Sequence, residues 1–167
     1  MRGPTWGVGL IPVTIEYTTT LYEWAGGQEA LTGLCEAFYR LVRDDKLLAP
    51  MFAGMPPEHP RYVALWLGEV FGGPAGYTAE RGGYRHMLSM HLGKAISEPQ
   101  RRRWVNLMQD AADEVGLPAD PEFRAAFVGY LEWGTRLAKE NSQPGADPVR
   151  DAPVPRWGWG VAPPYVP

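Results

Sequence analysis

Three histidines and a single cysteine are the side chains of this 167-residue chain best suited to holding a metal, and their spacing limits what they can hold. His86 and His91 stand five residues apart in "GGYRHMLSMHLGKAIS". Two ligands on one helix face stand three or four apart, so this pair does not make a two-histidine zinc motif. His59 lies far off, beside the prolines of "MPPEHP". Cys35 is alone, which excludes an internal disulfide and a cysteine-based zinc site. His91 therefore has two readings. It is a satisfied imidazole on the apolar face of a helix, or it is the one protein bond to a metal.

One imidazole is enough where a porphyrin supplies four nitrogens of its own, leaving a second axial position open. Such a group needs an apolar slot and a few donors on its open side. Phe38, Phe52, Val63, Trp66, Leu67, Leu88, Ile96 and Met108 are suitable walls. Tyr39 and Trp104 carry an O–H and an N–H able to reach a small ligand. Each also reads as a core aromatic whose polar tip is satisfied locally.

The elements that must bring these residues together are helical. "GGQEALTGLCEAFYRLVRDD" sets Leu31, Leu34, Cys35, Phe38, Leu41 and Val42 at spacings of three and four, with Gly26 and Gly27 where the chain must turn. Four prolines in "LLAPMFAGMPPEHP" exclude a continuous helix there. Pro60 then suits a first helical position, and Val63, Trp66, Leu67 and Val70 form a stripe that "GGP" ends. A short helix is expected over "YRHMLSMHL". Ser97 and Gln100 form a capping-box pattern ahead of a helix burying Trp104, Leu107, Met108, Ala111 and Val115. Asp120 and Pro121 open a last helix with Phe123, Phe127, Tyr130, Leu131, Gly134 and Leu137 inward. Four substantial helices and one short one follow, an all-α fold.

Hydrophobic residues are 45% of the chain and charged residues 21%, an ordinary globular balance. A net charge of -3 gives no general attraction to nucleic acid or to an anionic membrane. Arg101, Arg102 and Arg103 read as a solvated helix face. No stretch approaches the roughly 18 apolar residues of a membrane span, and the N-terminus is not a secretory signal, so a cytoplasmic protein is expected. Residues 1–20, with "VTIEYTTT", read as a strand or an extended arm. Residues 142–167 form a proline- and glycine-rich tail. Proline at that density forbids helix, but Trp157, Trp159 and Tyr165 argue that the tail packs along the body or on a partner.

Across residues 21–141 the chain resembles the group II truncated haemoglobins, short globins with a two-over-two helical sandwich. The matching features come in order. "LYEWAGG" resembles the family's opening, and "AFYRLVRDD" its Phe-Tyr pair. Phe52 follows Tyr39 by thirteen residues, where the family places an aromatic over the haem. "GEVFGGP" matches the Gly-Gly-Pro closing the distal helix. In "MHLGKAISEPQRRRWVNLM", Trp104 follows His91 by thirteen residues, the histidine–tryptophan spacing of group II.

The resemblance implies haem b with His91 as proximal iron ligand, Tyr39 and Trp104 as distal donors, and Phe52 on the porphyrin. It sets Val63 and Trp66 along the distal helix, and His59 at or near the position facing the gas, where it would gate ligand access. Leu67, Leu88, Ile96 and Met108 complete the walls. The family often has a basic residue just before the proximal histidine, to pair with a haem propionate. Here that residue is Met90, and the role passes to Arg81, His86, Tyr77 or Arg85. The implied function is binding of oxygen, nitric oxide and carbon monoxide at a pentacoordinate iron, for redox detoxification rather than bulk transport. Nitric oxide dioxygenase or peroxidase-like turnover with a reductase would suit it, in a monomer or homodimer. The alternative is a non-enzymatic gas sensor, or a globin that docks on a partner through its tail.

Overall fold

The computed structural model describes residues 19–160, and these form eight helices with no strand among the described residues. They are α1 (Leu21–Ala25), α2 (Gly27–Asp44), α3 (Ala49–Phe52), α4 (His59–Val70), α5 (Gly76–Arg81), α6 (Tyr84–Ser89), α7 (Glu98–Glu114) and α8 (Pro121–Asn141). The four long ones are those the apolar spacing predicts. Three more one- or two-turn helices than expected appear, among them α3, which opens on Pro50 in the proline-rich break. The predicted strand or arm before Thr19 lies outside the described residues.

Helix α2 packs on α4 and on α7, and α7 packs on α8, so one pair of helices lies over another. The apolar stripe of α2 explains its central place: Leu31, Leu34, Cys35, Phe38 and Val42 are all buried. Each such side chain contributes about 1.5–3 kcal/mol relative to exposure. Gly26, with φ of 107°, is the left-handed joint between α1 and α2. Gly73 is required by close approach, because a Cβ there would sit 2.6 Å from the Tyr22 ring. The caps are as read: Ser97 and Gln100 close a reciprocal capping box on α7, and Asp120 accepts from the Phe123 N–H on α8.

Two expectations about α7 fail. Val115 is 37% exposed, because it is the C-cap residue and the apolar stripe has already turned past it. Arg101 is 2% exposed rather than solvated. Its guanidinium donates to Glu98 and to Glu132 and Thr135 of α8, so a cation does the pairing at the α7–α8 seam.

The tail packs against the body at its described indoles, while most of residues 143–153 are exposed. The Trp157 backbone N–H donates to the Val70 carbonyl at 2.8 Å, and its indole N–H to the Ala126 carbonyl at 2.9 Å. The Trp157 ring lies 5.7 Å from both Tyr130 and Trp133. Trp159 donates to the Thr19 carbonyl and meets Trp24 edge-on. Tyr165 lies outside the described residues.

Candidate functional site

Between α2, α4, α6, α7 and α8 lies a cavity of about 560 Å³. That is within the ~300–1,000 Å³ typical of small-molecule and cofactor sites. Of the sequence-predicted residues it brings together Tyr39, Phe52, His59, Val63, Trp66, Leu67, Tyr77, Arg81, His86, Leu88, His91, Ile96 and Trp104. Two predicted walls are not on it. Met108 is wholly buried in the helical core, one turn beyond Trp104 on α7, and Phe38 backs the cavity rather than lining it. Phe38 meets Tyr39 and Trp104 edge-on at 4.7 and 4.9 Å, so it fixes both donors from behind.

His91 is not on a helix. Helix α6 ends at Ser89, and His91 sits in the turn that follows. Its Nδ1 lies 2.9 Å from the Met87 carbonyl oxygen. A carbonyl only accepts, so Nδ1 carries the proton and Nε2 keeps its lone pair. Burial pushes the imidazole below its ordinary value, and nearby Lys94 adds to this against the Met87 bond. The side chain is thus a neutral, oriented nitrogen base, the form that a metal requires.

The other end of the cavity is built on α2 and α4. Tyr39 Oη and His59 Nε2 are 2.8 Å apart, their rings edge-on at 5.0 Å, with Phe52 edge-on to Tyr39 at 5.6 Å. Burial raises the Tyr39 phenol well above its ordinary value, so it stays protonated. Burial lowers His59, and the Arg81 charge adds to this, so it stays neutral. The Trp104 indole N–H makes no hydrogen bond to another described residue. Trp66 is different: its N–H donates to Tyr130 Oη at 2.6 Å, which removes it as a ligand donor and ties α4 to α8.

Charge on the cavity wall is one-sided. Arg81, Lys94 and Arg101 line it, and no aspartate or glutamate among the described residues does. Arg101 is paired with Glu98 and Glu132, whereas Arg81 and Lys94 pair with no carboxylate among the described residues. The Arg81 guanidinium lies 4.0 Å over the Tyr62 ring with Nη2 3.0 Å from His86 Nε2, and its buried Nε–H has no partner. Arg85 instead forms an ion pair with Asp151 of the tail. Sequence reasoning missed Lys94 and Tyr62. Both had a signal, since Lys94 follows His91 by three residues and Tyr62 precedes the predicted wall residue Val63.

These donors fit haem b. His91, with a free imidazole nitrogen, lines a largely apolar cavity, and two cations on its wall with no carboxylate partner among the described residues match a ligand that carries two carboxylates. Two helices over two, with one such imidazole between them, is the plan of a short globin. The chain belongs to the bacterial-like globin family, whose profile matches residues 20–132. It is 34% identical to the group 2 truncated haemoglobin YjbI of Bacillus subtilis, over 66% of this chain and 81% of that one. Among solved structures it is similar to a truncated oxygen-avid haemoglobin from Bacillus subtilis, at 33% identity and TM-score 0.64, covering 72% of this chain and 98% of that one. A thermostable haemoglobin from the actinobacterium Thermobifida fusca is similar at 30% identity and TM-score 0.64, covering 72% and 96%. Haem b is the cofactor of this family, and gas binding at haem its activity.

Proposed function

We propose that the protein binds oxygen, nitric oxide and carbon monoxide at a haem held by His91 alone, and uses them in redox chemistry rather than in bulk transport. The observation that carries this reading is the Nδ1–H bond from His91, which lines the cavity, to the Met87 carbonyl, since it leaves the Nε2 lone pair free to bind a metal. When bound, the haem iron would supply the centre at which a diatomic gas binds. The chain's own residues do the rest. His91 Nε2 would hold the iron, and Arg81 and Lys94 on the same cavity wall would pair with the two carboxylates. Phe52, Val63, Leu67, Leu88 and Ile96 keep water from the ring. Tyr77 braces Trp66 edge-on at 5.2 Å, and His86 holds the Arg81 guanidinium.

On the open side, the Tyr39 O–H and the Trp104 N–H are the donors for a gas that carries negative charge. Donors fixed in a dry pocket act more strongly than in water, because no reorganisation is needed. His59 shares the Tyr39 hydroxyl, and this pair offers the approaching gas either a donor or an acceptor. Tight retention suits detoxification of nitric oxide or peroxide, with a reductase as electron donor. A cytoplasmic setting belongs to the same reading, in keeping with the free thiol of the one cysteine. The rival reading, a globin that docks on a partner through its tail, is less favoured, because Trp157 and Trp159 are engaged on the chain's own body.

The test is the ultraviolet–visible spectrum of the purified protein as isolated, after dithionite, and after carbon monoxide or oxygen. A Soret band that shifts with each gas is the expected result. A ferrous spectrum with two strong axial ligands and no response to carbon monoxide would contradict the open position.

A further inference from the structure

The segment that carries His91 is attached to the fold in an unusual way. Apart from the Arg81–His86 contact with neighbouring α5 and the Met87 N–H bond to the adjoining Gly83 carbonyl, every hydrogen bond or ion pair that leaves residues 84–96 ends, among the described residues, on Ser142, which is also the C-cap of α8, or on Gln143 and Asp151 beyond it. The Ala95 N–H donates to the Ser142 carbonyl at 2.9 Å, and the Ile96 N–H to Ser142 Oγ at 3.0 Å. Gln143 Nε2 donates to the Ile96 carbonyl at 2.9 Å, and Arg85 pairs with Asp151. Ala95 has φ of 50°, a left-handed conformation that a residue with a Cβ keeps only when its surroundings impose it. Ser142, wholly buried, supplies that imposition.

Downstream, the same tail lines the cavity with Pro155 and is then nailed to α4 and α8 by Trp157. Trp157 itself does not line the cavity. The exposed Arg85–Asp151 pair adds little alone, so the anchor is the indole and its two hydrogen bonds.

We propose that the tail from Ser142 to Trp159 is the positioning element for His91: it holds the 91–96 loop in its strained form, fixes the approach of Nε2, and closes the cavity along Pro155. Trp157 is its positioning residue, acting through the tail on a histidine it does not touch. The proposal rests on the reading of His91 as iron ligand.

The experiment compares the full-length haem protein with its Trp157→Ala, Trp157→Phe and Ser142→Ala variants. Three readouts are used: trypsin cleavage at Arg150 and Arg156, the rate of haem transfer to an excess of an apoglobin, and the iron–histidine stretching band of the ferrous protein. Loss of a support behind a metal ligand typically costs about 10- to 100-fold in metal affinity. Trp157→Ala is expected to expose the tail to trypsin, to speed haem loss by about that factor, and to shift or broaden the iron–histidine band. Trp157→Phe, which keeps a ring but loses the N–H, is expected to fall between. Ser142→Ala moves the same two haem readouts, and decides the matter should Trp157→Ala fail to fold.

A tail that trypsin removes freely while haem loss and the band stay as in the parent would overturn the proposal. Absence of any iron–histidine band in the parent protein would instead overturn the reading of His91, and the proposal with it.

Discussion

The two walls of the cavity are built on different principles. The wall proposed to face the gas rests on α2, α4 and α7, long helices whose side chains interlock: Phe38 braces Tyr39 and Trp104, and Tyr39 meets Phe52 and His59 edge-on. The wall proposed to hold the iron is a turn after the six-residue helix α6, hydrogen-bonded to Ser142 and Gln143 and carrying the left-handed Ala95. The proposed donors are thus set between long packed helices, and the proposed metal ligand sits in an irregular turn. Local stability is expected to differ between two such parts of one fold.

Core deletion is the most forceful way to break this contrast. Phe38→Ala is expected to lower unfolding stability by about 3–5 kcal/mol, the ordinary cost of emptying a packed aromatic site. Leu88→Ala on α6 removes an equally apolar side chain, and is expected to cost about 2 kcal/mol, at the low end for its type, because its neighbours can close in. Urea unfolding of the two variants in the same ligation state gives both values. Equal losses would mean that the two walls are equally rigid.

Tyr39→Phe sharpens the gas-facing side. A hydrogen bond to a charged group is worth about 1.5–3 kcal/mol, so oxygen should dissociate about 10- to 100-fold faster with the haem retained. Stopped-flow oxygen displacement by carbon monoxide measures this. An unchanged rate would assign the donor role to Trp104 or His59. Arg81→Gln addresses the cation pair at the rim. Haem loss should accelerate a few-fold, and the effect should vanish when the protein is reconstituted with the dimethyl ester of haem, which has no carboxylates to hold.

The smallest effect is expected at Glu98. Arg101 first, and then Lys139, hold its carboxyl far below the ordinary range. The folded state therefore favours the charged form. This contributes stability that is complete above the unfolded value of about 4.3 and is lost as pH falls toward the lower folded value. Glu98→Gln should melt a few degrees below the parent at neutral pH, with the gap closing under acid. A gap independent of pH would assign its role to packing.

The gas-facing wall was legible in the sequence because its signals are periodic. Tyr39, Val63, Trp66 and Trp104 stand in register with buried stripes on long helices, and the cap at Ser97 and the Gly-Gly-Pro at Gly72 bound those helices. The iron-bearing wall was less so. His91 reads as helical from its apolar neighbours, yet α6 stops at Ser89, a boundary no proline or capping residue marks. Lys94 and Tyr62 fall outside the predicted site because their signal, a place near His91 or Val63 in the chain, does not say which way a side chain turns, and the Tyr62 ring shows its role only under the Arg81 guanidinium. Arg101 looked like one of three solvated arginines, since nothing in "RRRW" distinguishes the one that meets Glu132 across the seam. Met108 shares the stripe of Trp104 but faces the core. The tail's indoles signalled packing, but not that the tail reaches the loop behind His91.

The central claim is that His91 Nε2 is the sole protein bond to the iron, and it is tested most directly by His91→Gly with and without free imidazole. The account predicts that the variant loses the parent's Soret band and its response to carbon monoxide, and that millimolar imidazole, filling the vacated space, restores both. A variant that keeps the parent's ferrous spectrum without imidazole would contradict it.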